Sequence, residues 1–541
     1  MSPAPPSIFP RYDAATIAEF EAAGWWRREN LAEWVRQTAN AHPDRTAVAG
    51  SGTVLSYREL WEGALRLSRG LETLGVEPGK VVAVQLPNCV EFVLAYLATA
   101  IRGATLQTVH VPYREAELAG LLSHSGATVV IALTSLRDYR PASDLVALKE
   151  RIQTLQHVVS VGGPTPGAIT FETLLQSNLP QQSNLVASDA ALILLYTSGT
   201  TSAPKGVPIR AEAFLGNARM VATELQVSAA DRILSAAPFT HLYGLMTLHL
   251  TFAAGATACL LPLYSPDGLA GALVGLQPTA LFTAPPHLAT GLQQGLLDRS
   301  HLQGLRFVVV SGSRCPESLA AEVQHLLDDG KLLQLWGMSE LQVGTFSRLD
   351  DPQQARLSAV GRVSPGIEVR IVDGTGAICP ADIEGELLVR GSSVFRGYLG
   401  NAAATASALT ADGWFHTGDL ATLDATGQLR LTGRLKDVIN RGGVKFNPAD
   451  IESLLETHPA VISAAIVPMP DPILGERACC FVVLKAGATV SLDDVRRFLD
   501  GHGVTKFKWP EHLEVVEAMP LTPTRKIMKS ELIRRLPTSL S

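Results

Sequence analysis

The stretch YTSGTTSAPKG, Tyr196 to Gly206, gathers groups that can hold an anion. Hydroxyls on Thr197, Ser198, Thr200, Thr201 and Ser202 can each donate to a phosphate oxygen. Gly199 and Gly206 let successive N–H groups turn toward one ligand, and Lys205 adds a fixed positive charge. The uncharged run Ala191–Leu195 that leads in reads as a buried strand. A Walker loop places its lysine directly before a magnesium-binding Ser or Thr. Here Lys205 follows a proline and precedes Gly206, so a Walker-type NTPase is a poor reading. A Ser/Thr-rich surface turn would explain the composition but not the buried lead-in or the Pro-Lys-Gly ending.

The elements that must position such a loop follow from length and periodicity. At 541 residues the chain is too long for one compact core. Its 46% hydrophobic and 18% charged residues are those of a globular protein, and a net charge of −6 gives no electrostatic reason to bind nucleic acid or an anionic membrane. Six scattered cysteines without a CxxC pair suggest a reducing compartment, so cytoplasm is the expectation. The start MSPAPPSIFPRYD lacks the pattern of a secretory signal. Leu242–Leu263 is uncharged and long enough to span a bilayer, but Gly244, Gly255 and Pro262 break it. It reads as a helix, a turn at 253–256 and a strand, so no membrane span is expected.

Strand-like and helix-like runs alternate: Val81–Leu86 then Val90–Arg102, Ala127–Leu133 then Asp144–Thr154, Leu305–Ser311 then Glu317–Leu327. That rhythm predicts α/β architecture with parallel sheets. Short strands from Val369 to about Thr432 predict a β-rich subdomain. The last hundred residues predict a small α+β unit, with strands Val461–Val467, Ala478–Leu484 and Leu513–Glu517 and a helix Leu492–Leu499 capped by Ser491. The charged, glycine-led joint Gly433–Asp437 sets expected domains of 1–435 and 436–541.

Four further segments stand in order after the loop: LWGMSE (Leu335–Glu340), WFHTGDL (Trp414–Leu420), GRLKDVINRGGVKFNPADIE (Gly433–Glu452) and PLTPTRKIMK (Pro520–Lys529). LSYREL (Leu55–Leu60), Gly103–Pro112 and GELLVRGSSVFRGYLG (Gly385–Gly400) add to them. Together they resemble the adenylate-forming superfamily of acyl-CoA synthetases, peptide-synthetase adenylation domains and luciferases, over almost the whole chain. The resemblance implies a large N-terminal domain of stacked α/β sheets, a β-rich subdomain and a small mobile C-terminal domain. It also implies a reaction in which a carboxylate attacks the α-phosphorus of ATP and expels diphosphate. Both reactants are anionic, so positioning and charge neutralisation carry that step.

Roles follow from the resemblance. Thr197, Ser198, Gly199, Thr200, Thr201 and Lys205 would grip the β- and γ-phosphates. Glu340 would hold Mg²⁺, and Ser339 and Gly337 would lie beside the nucleotide. Gln334 would read the adenine amine, with Trp336 where the family commonly stacks a tyrosine. Asp419, assisted by Arg434, would take the ribose hydroxyls. Ser313 would contact the nucleotide, while Gly312, His241 and Leu242 would line the acyl pocket. Lys526 would bridge the carboxylate and the α-phosphate. Lys436 would be the hinge, and Gly442 and Gly443 would open a channel for the pantetheine arm of coenzyme A. Plainer readings stand beside these: Ser339-Glu340 as a helix start, Asp419 as a turn residue, Arg434 as an ion-pair partner, Trp336 as core, Lys526 as a solvated lysine and His241 as a satisfied core histidine.

Three departures from the family pattern are visible. Arg525 precedes the catalytic lysine where glycine is usual, Ser339 replaces threonine, and Ser311-Gly312-Ser313 replaces a Gly-Gly-Ala-like turn. The double glycine and the free-standing length favour CoA as acceptor. AGWWRRENLAEW and TPTRK resemble cyclohexanecarboxylate and free-standing aryl-acid ligases. Leu242 stands where 2-hydroxyaryl enzymes carry an asparagine, which disfavours salicylate-like acids. With Phe239, Tyr243, Leu245 and Met246 it suggests a medium-chain, alicyclic or simple aromatic acid. The expectation is therefore an ATP- and Mg²⁺-dependent acid–CoA ligase acting on small molecules, with a homodimer left open. Its rivals are an adenylating enzyme that loads a carrier protein and an inactive nucleotide-binding scaffold.

Overall fold

A computed structural model describes residues 13–50, 52–178, 191–197, 204–522 and 526–536. The chain divides into two compact units. One comprises the chain up to Thr197, Pro204–Glu368 and Arg390–Gly413, and the other comprises Val369–Val389 and Trp414 onward.

Two sheets organise the first unit. A nine-stranded sheet runs in the order Arg362–Val363, Gln342–Phe346, Lys331–Met338, Phe307–Val310, Ala280–Thr283, Arg232–Ser235, Thr257–Leu260, Thr46–Gly50, Thr53–Ser56. Its middle is parallel, from Lys331–Met338 across to Thr46–Gly50, with antiparallel strands at both edges. A seven-stranded sheet runs Ile169–Thr170, His157–Val161, Ala127–Leu133, Val81–Gln85, Thr105–Thr108, Ile193–Thr197, Lys205–Ile209. The parallel strands Val81–Gln85, Ala280–Thr283 and Phe307–Val310 are mostly apolar and wholly buried, as sheets covered by helices require. The helix Val90–Ile101 is buried almost all round. It meets the helix Leu242–Ala254 through Tyr96 Oη, 2.7 Å from His249 Nε2.

The second unit carries a sheet in the order Ile367–Val372, Gly385–Gly391, Phe415–Leu423, Leu429–Arg434, antiparallel over its last three strands; its first strand begins two residues before the unit does. A second sheet is built on the hairpin Val461–Asp471/Gly475–Leu484, with Ile439–Arg441, Val444–Phe446 and His512–Val515 added. Helices Ala449–Leu455 and Leu492–Gly501 complete its core around Ile451, Leu455, Val495 and Leu499. The Ser491 cap is present and reciprocal, as a capping box with Asp494.

The differences from expectation are local. The helix expected from Asp144 starts at Pro141, which suits a first helical position, and ends at Lys149. The strand expected to end at Val467 runs through Pro468 and Pro470 to Asp471, because its antiparallel register persists to Asp471 opposite Gly475. Leu242–Leu263 is the expected helix and strand, with Gly255 left-handed at φ 63° between them. Among the described residues no helix is long and apolar enough to cross a membrane.

Candidate functional site

In the first unit most candidate residues follow the carboxyl ends of parallel strands, where open α/β sheets leave a crevice for ligands. His241 follows Arg232–Ser235, Gly312 and Ser313 follow Phe307–Val310, and Ser339 and Glu340 follow Lys331–Met338. Strands Ile193–Thr197 and Lys205–Ile209 pair in antiparallel register, with Thr197 opposite Lys205. Lys205 therefore opens a strand, whereas the lysine of a Walker loop leads into a helix. Ser198, Gly199, Thr200 and Thr201 lie outside the described residues.

Ser339 and Glu340 do not open a helix. They turn between Lys331–Met338 and Gln342–Phe346, with Gln342 left-handed at φ 64°. Gly337 is required there, since a Cβ would come 1.9 Å from the Gln342 carbonyl oxygen. Glu340 is buried, and Tyr398 donates its phenol proton to Oε1 at 3.0 Å. Burial and the Glu340 charge push the Tyr398 phenol well above its ordinary pKa, so it stays a donor. The Lys205 ammonium lies 4.8 Å from the centre of the same ring. Acid, phenol and base thus form one connected group.

Gln334 is buried and donates its amide to the carbonyls of Arg356 and Leu357 at 3.2 and 2.7 Å. Those two bonds fix which end of the amide is oxygen, leaving an acceptor of defined orientation. Trp336 is 6% exposed and lies against Gly344, where a Cβ would meet its ring at 2.5 Å.

His241 caps the helix Leu242–Ala254, its Nδ1 accepting from the Tyr243 N–H at 3.3 Å. Nδ1 is therefore unprotonated, and the neutral ring carries its proton on Nε2. Its sequence neighbours Leu242, Phe239 and Met246 are buried. The ring of His110 lies nearly parallel to that of His241, with centres 6.5 Å apart, and its Nδ1 is 2.9 Å from Thr240 Oγ1. Burial depresses the His110 pKa to about 4. Ser313 is exposed, and Gly312 has a positive φ of 93°.

In the second unit Asp419 is buried and faces Arg434 on the neighbouring strand. Arg434 Nε is 3.0 Å from Asp419 Oδ1. Asp419 lies inside the strand Phe415–Leu423, although Gly418 before it has a positive φ. Lys436 is exposed in a short 3₁₀ turn. Surrounding protein and the Arg434 charge lower its ammonium pKa. Gly442 and Gly443, φ 60° and 87°, are the two central residues of the hairpin joining Arg441 to Val444. Two positive φ values in a two-residue loop define a type I′ turn, which by itself demands glycine or asparagine. Lys526 is half-buried, next to an antiparallel bridge between Leu521 and Ile527. Its N–H donates to Thr522 Oγ1 at 3.0 Å. Residues 523–525, including Arg525, lie outside the described residues.

Three residues with no role read from the sequence belong to this picture. Tyr398 lay inside GELLVRGSSVFRGYLG and His110 inside Gly103–Pro112, both segments noticed only as a whole. Asn447, whose amide donates to the Thr432 carbonyl at 2.6 Å, fills the space beside Gly433.

One cofactor can be tested against these residues. Mg²⁺ takes oxygen ligands and is commonly bound by one or two carboxylates plus substrate phosphates. Among the described residues no cluster of three acidic, histidine or cysteine side chains could hold a metal alone. A single oriented carboxylate at Glu340, near Lys205, fits the shared mode of binding.

Comparison with known proteins agrees with this geometry. Residues 35–399 match the family model for AMP-binding enzymes, and residues 450–526 match the model for the AMP-binding enzyme C-terminal domain. The chain is 32% identical to a medium-chain fatty-acid–CoA ligase of Escherichia coli, over 96% of this chain and 93% of that protein. It is 34% identical to a salicyl-AMP ligase/salicyl-S-ArCP synthetase of Mycobacterium tuberculosis, over 98% and 94%. ATP-bound MatB from Rhodopseudomonas palustris superposes with a TM-score of 0.85 at 26% identity, covering 94% of this chain and 99% of that one. The α/β sheets, the connected acid and base, and matches to both family models make this chain a member of the AMP-binding, adenylate-forming enzyme family, an acid–thiol ligase by class.

Proposed function

We propose that the protein joins a medium-chain, alicyclic or simple aromatic carboxylic acid to coenzyme A through an acyl adenylate. In the first step a carboxylate oxygen forms a bond to the α-phosphorus of ATP, and the bond from that phosphorus to the diphosphate oxygen breaks. In the second the CoA thiol loses its proton and attacks the acyl carbon, and AMP leaves. The observation that carries this reading is the group Glu340–Tyr398–Lys205, which pairs an oriented carboxylate with a cation on the strand that follows the hydroxyl-rich loop. Lys205 would neutralise phosphate charge, and Glu340 would hold Mg²⁺. When bound, the metal supplies charge stabilisation for the leaving diphosphate. Lys526 would stabilise charge at the α-phosphate, Asp419 and Arg434 would hold ribose, and Gln334 would accept from adenine. We further propose that the segment after Lys436 turns between the two steps, so that Gly442 and Gly443 serve the thiol.

Leu242 supports the choice of acid. It adds buried hydrocarbon to the helix start next to His241 and offers no hydrogen bond to a ring hydroxyl. The full-length likeness to a medium-chain fatty-acid–CoA ligase supports CoA. The likeness to a salicyl-S-ArCP synthetase keeps carrier loading as the rival acceptor chemistry. A panel of alkyl, alicyclic and aryl acids with ATP, Mg²⁺ and CoA, read by mass, tests the proposal. Acyl-CoA, AMP and diphosphate are expected from an apolar acid. Acid-dependent ATP–diphosphate exchange without any thioester would sink the CoA assignment. Absence of both with every acid would sink the ligase reading.

A further inference from the structure

Tyr398 connects two groups of opposite charge, Glu340 in the turn before Gln342–Phe346 and Lys205 at the start of the strand Lys205–Ile209. Its hydroxyl donates to Glu340 Oε1, and its ring face receives the Lys205 ammonium. The main chain repeats both links: the Phe395 N–H donates to the Glu340 carbonyl at 2.7 Å and the Leu399 N–H to the Gly206 carbonyl at 2.8 Å. At Gly206 a Cβ would come 3.1 Å from the Leu399 Cβ, so the strand and the Tyr398 segment are in close contact. The Phe395 ring meets that of Tyr398 edge-on, with centres 4.8 Å apart. Tyr398 therefore cannot shift without disturbing the Glu340 turn and the start of the Lys205 strand.

We propose that Tyr398 is a positioning residue that orients the Glu340 carboxylate and the Lys205 ammonium for one magnesium–polyphosphate ligand. The role rests on the ligase reading above. A hydrogen bond to Oε1 fixes the orientation of the carboxylate, as partners of metal-binding carboxylates commonly do. The ring face holds the ammonium by cation–π attraction without neutralising it, so its charge remains available to phosphate. A purely structural aromatic would need no hydroxyl.

Tyr398→Phe keeps the ring and removes that hydroxyl. Mn²⁺ binding to the protein with a non-hydrolysable ATP analogue, followed by the electron paramagnetic resonance of free Mn²⁺, reads the effect without turnover. The half-saturating Mn²⁺ concentration is expected to rise about ten-fold, with a matching shift in the Mg²⁺ dependence of exchange activity and little change in thermal midpoint. Half-saturation within about two-fold of wild type would overturn the proposal. In a cycle with Glu340→Gln, the phenol should matter little once the carboxylate is gone. Fully additive losses would also overturn it. Failure of the ligase reading looks different, because wild-type protein would then show no acid-dependent exchange at all.

Discussion

Asp419 and Arg434 face each other across adjacent antiparallel strands, with Arg434 Nε 3.0 Å from Asp419 Oδ1. The carboxyl group is buried, and the guanidinium beside it supplies an ion-pair partner and fixes its rotamer. If this acid takes a ribose diol, the wild-type enzyme should prefer ATP to 2′,3′-dideoxy-ATP. Asp419→Asn should raise the ATP KM by roughly 10- to 100-fold and abolish most of that preference, because the lost partner is an acceptor for substrate hydroxyls. An unchanged ratio between the two nucleotides would remove Asp419 from ribose recognition.

Gly433 and Asn447 are a second pair, and a steric one. A Cβ on Gly433 would come 2.1 Å from Asn447 Nδ2. That amide is held by the Thr432 carbonyl, and its oxygen accepts from the Ala449 N–H at 3.1 Å. Gly433→Ala must therefore displace Asn447 and cost about 1–3 kcal/mol. Adding Asn447→Gly should recover part of that loss by emptying the contested space. Thermal or urea unfolding of the two variants measures it, and a double variant no more stable than Gly433→Ala alone would contradict the account.

Local signals made the Ser491 cap, the glycine turn at Gly255 and most strand positions legible, because each depends on neighbours a few residues away. The ordered motifs singled out Glu340, Asp419 and Lys205, whose contacts with Tyr398 and Arg434 only the structure shows. Tyr398 was not legible, because its partner Glu340 is 58 residues distant and no periodicity links them. Asn447 was hidden by a similar cause. The clash that makes Gly433 necessary exists only once the chain between them has folded back. The strand expected to end at Val467 continues through two prolines to Asp471, where register overrode local propensity.

Two histidines, His249 buried and His110 half-buried, predict an acid limit to stability. Burial lowers the pKa of His249 to about 3 and that of His110 to about 4. In the unfolded chain both protonate near about 6.5, so below that pH the unfolded state binds more protons. Their contribution is complete above the unfolded value. It is lost as pH falls toward the folded values, at up to about 1.4 kcal/mol per pH unit for each ring. His110→Gln should flatten the dependence of the urea midpoint by about one proton between roughly pH 6 and 4.5. Parallel curves for variant and wild type would show that His110 does not stay neutral.

Gly442 and Gly443 pose the sharpest ambiguity, because the type I′ turn alone accounts for both. Gly442 also approaches Leu474: its N–H donates to that carbonyl at 2.7 Å, and a Cβ would meet Leu474 Cδ2 at 3.2 Å. Asn-Gly is a favoured pair for this turn, so Gly442→Asn should keep the hairpin while placing a side chain where a pantetheine arm would pass. If passage of the thiol arm needs bare backbone, thioester formation from supplied acyl adenylate should fall by about ten-fold or more, while ATP–diphosphate exchange stays near wild type. Equal and unchanged half-reactions would mean that the turn, and not the thiol, requires these glycines. A parallel loss in both, with a lowered thermal midpoint, would point to the Leu474 contact instead.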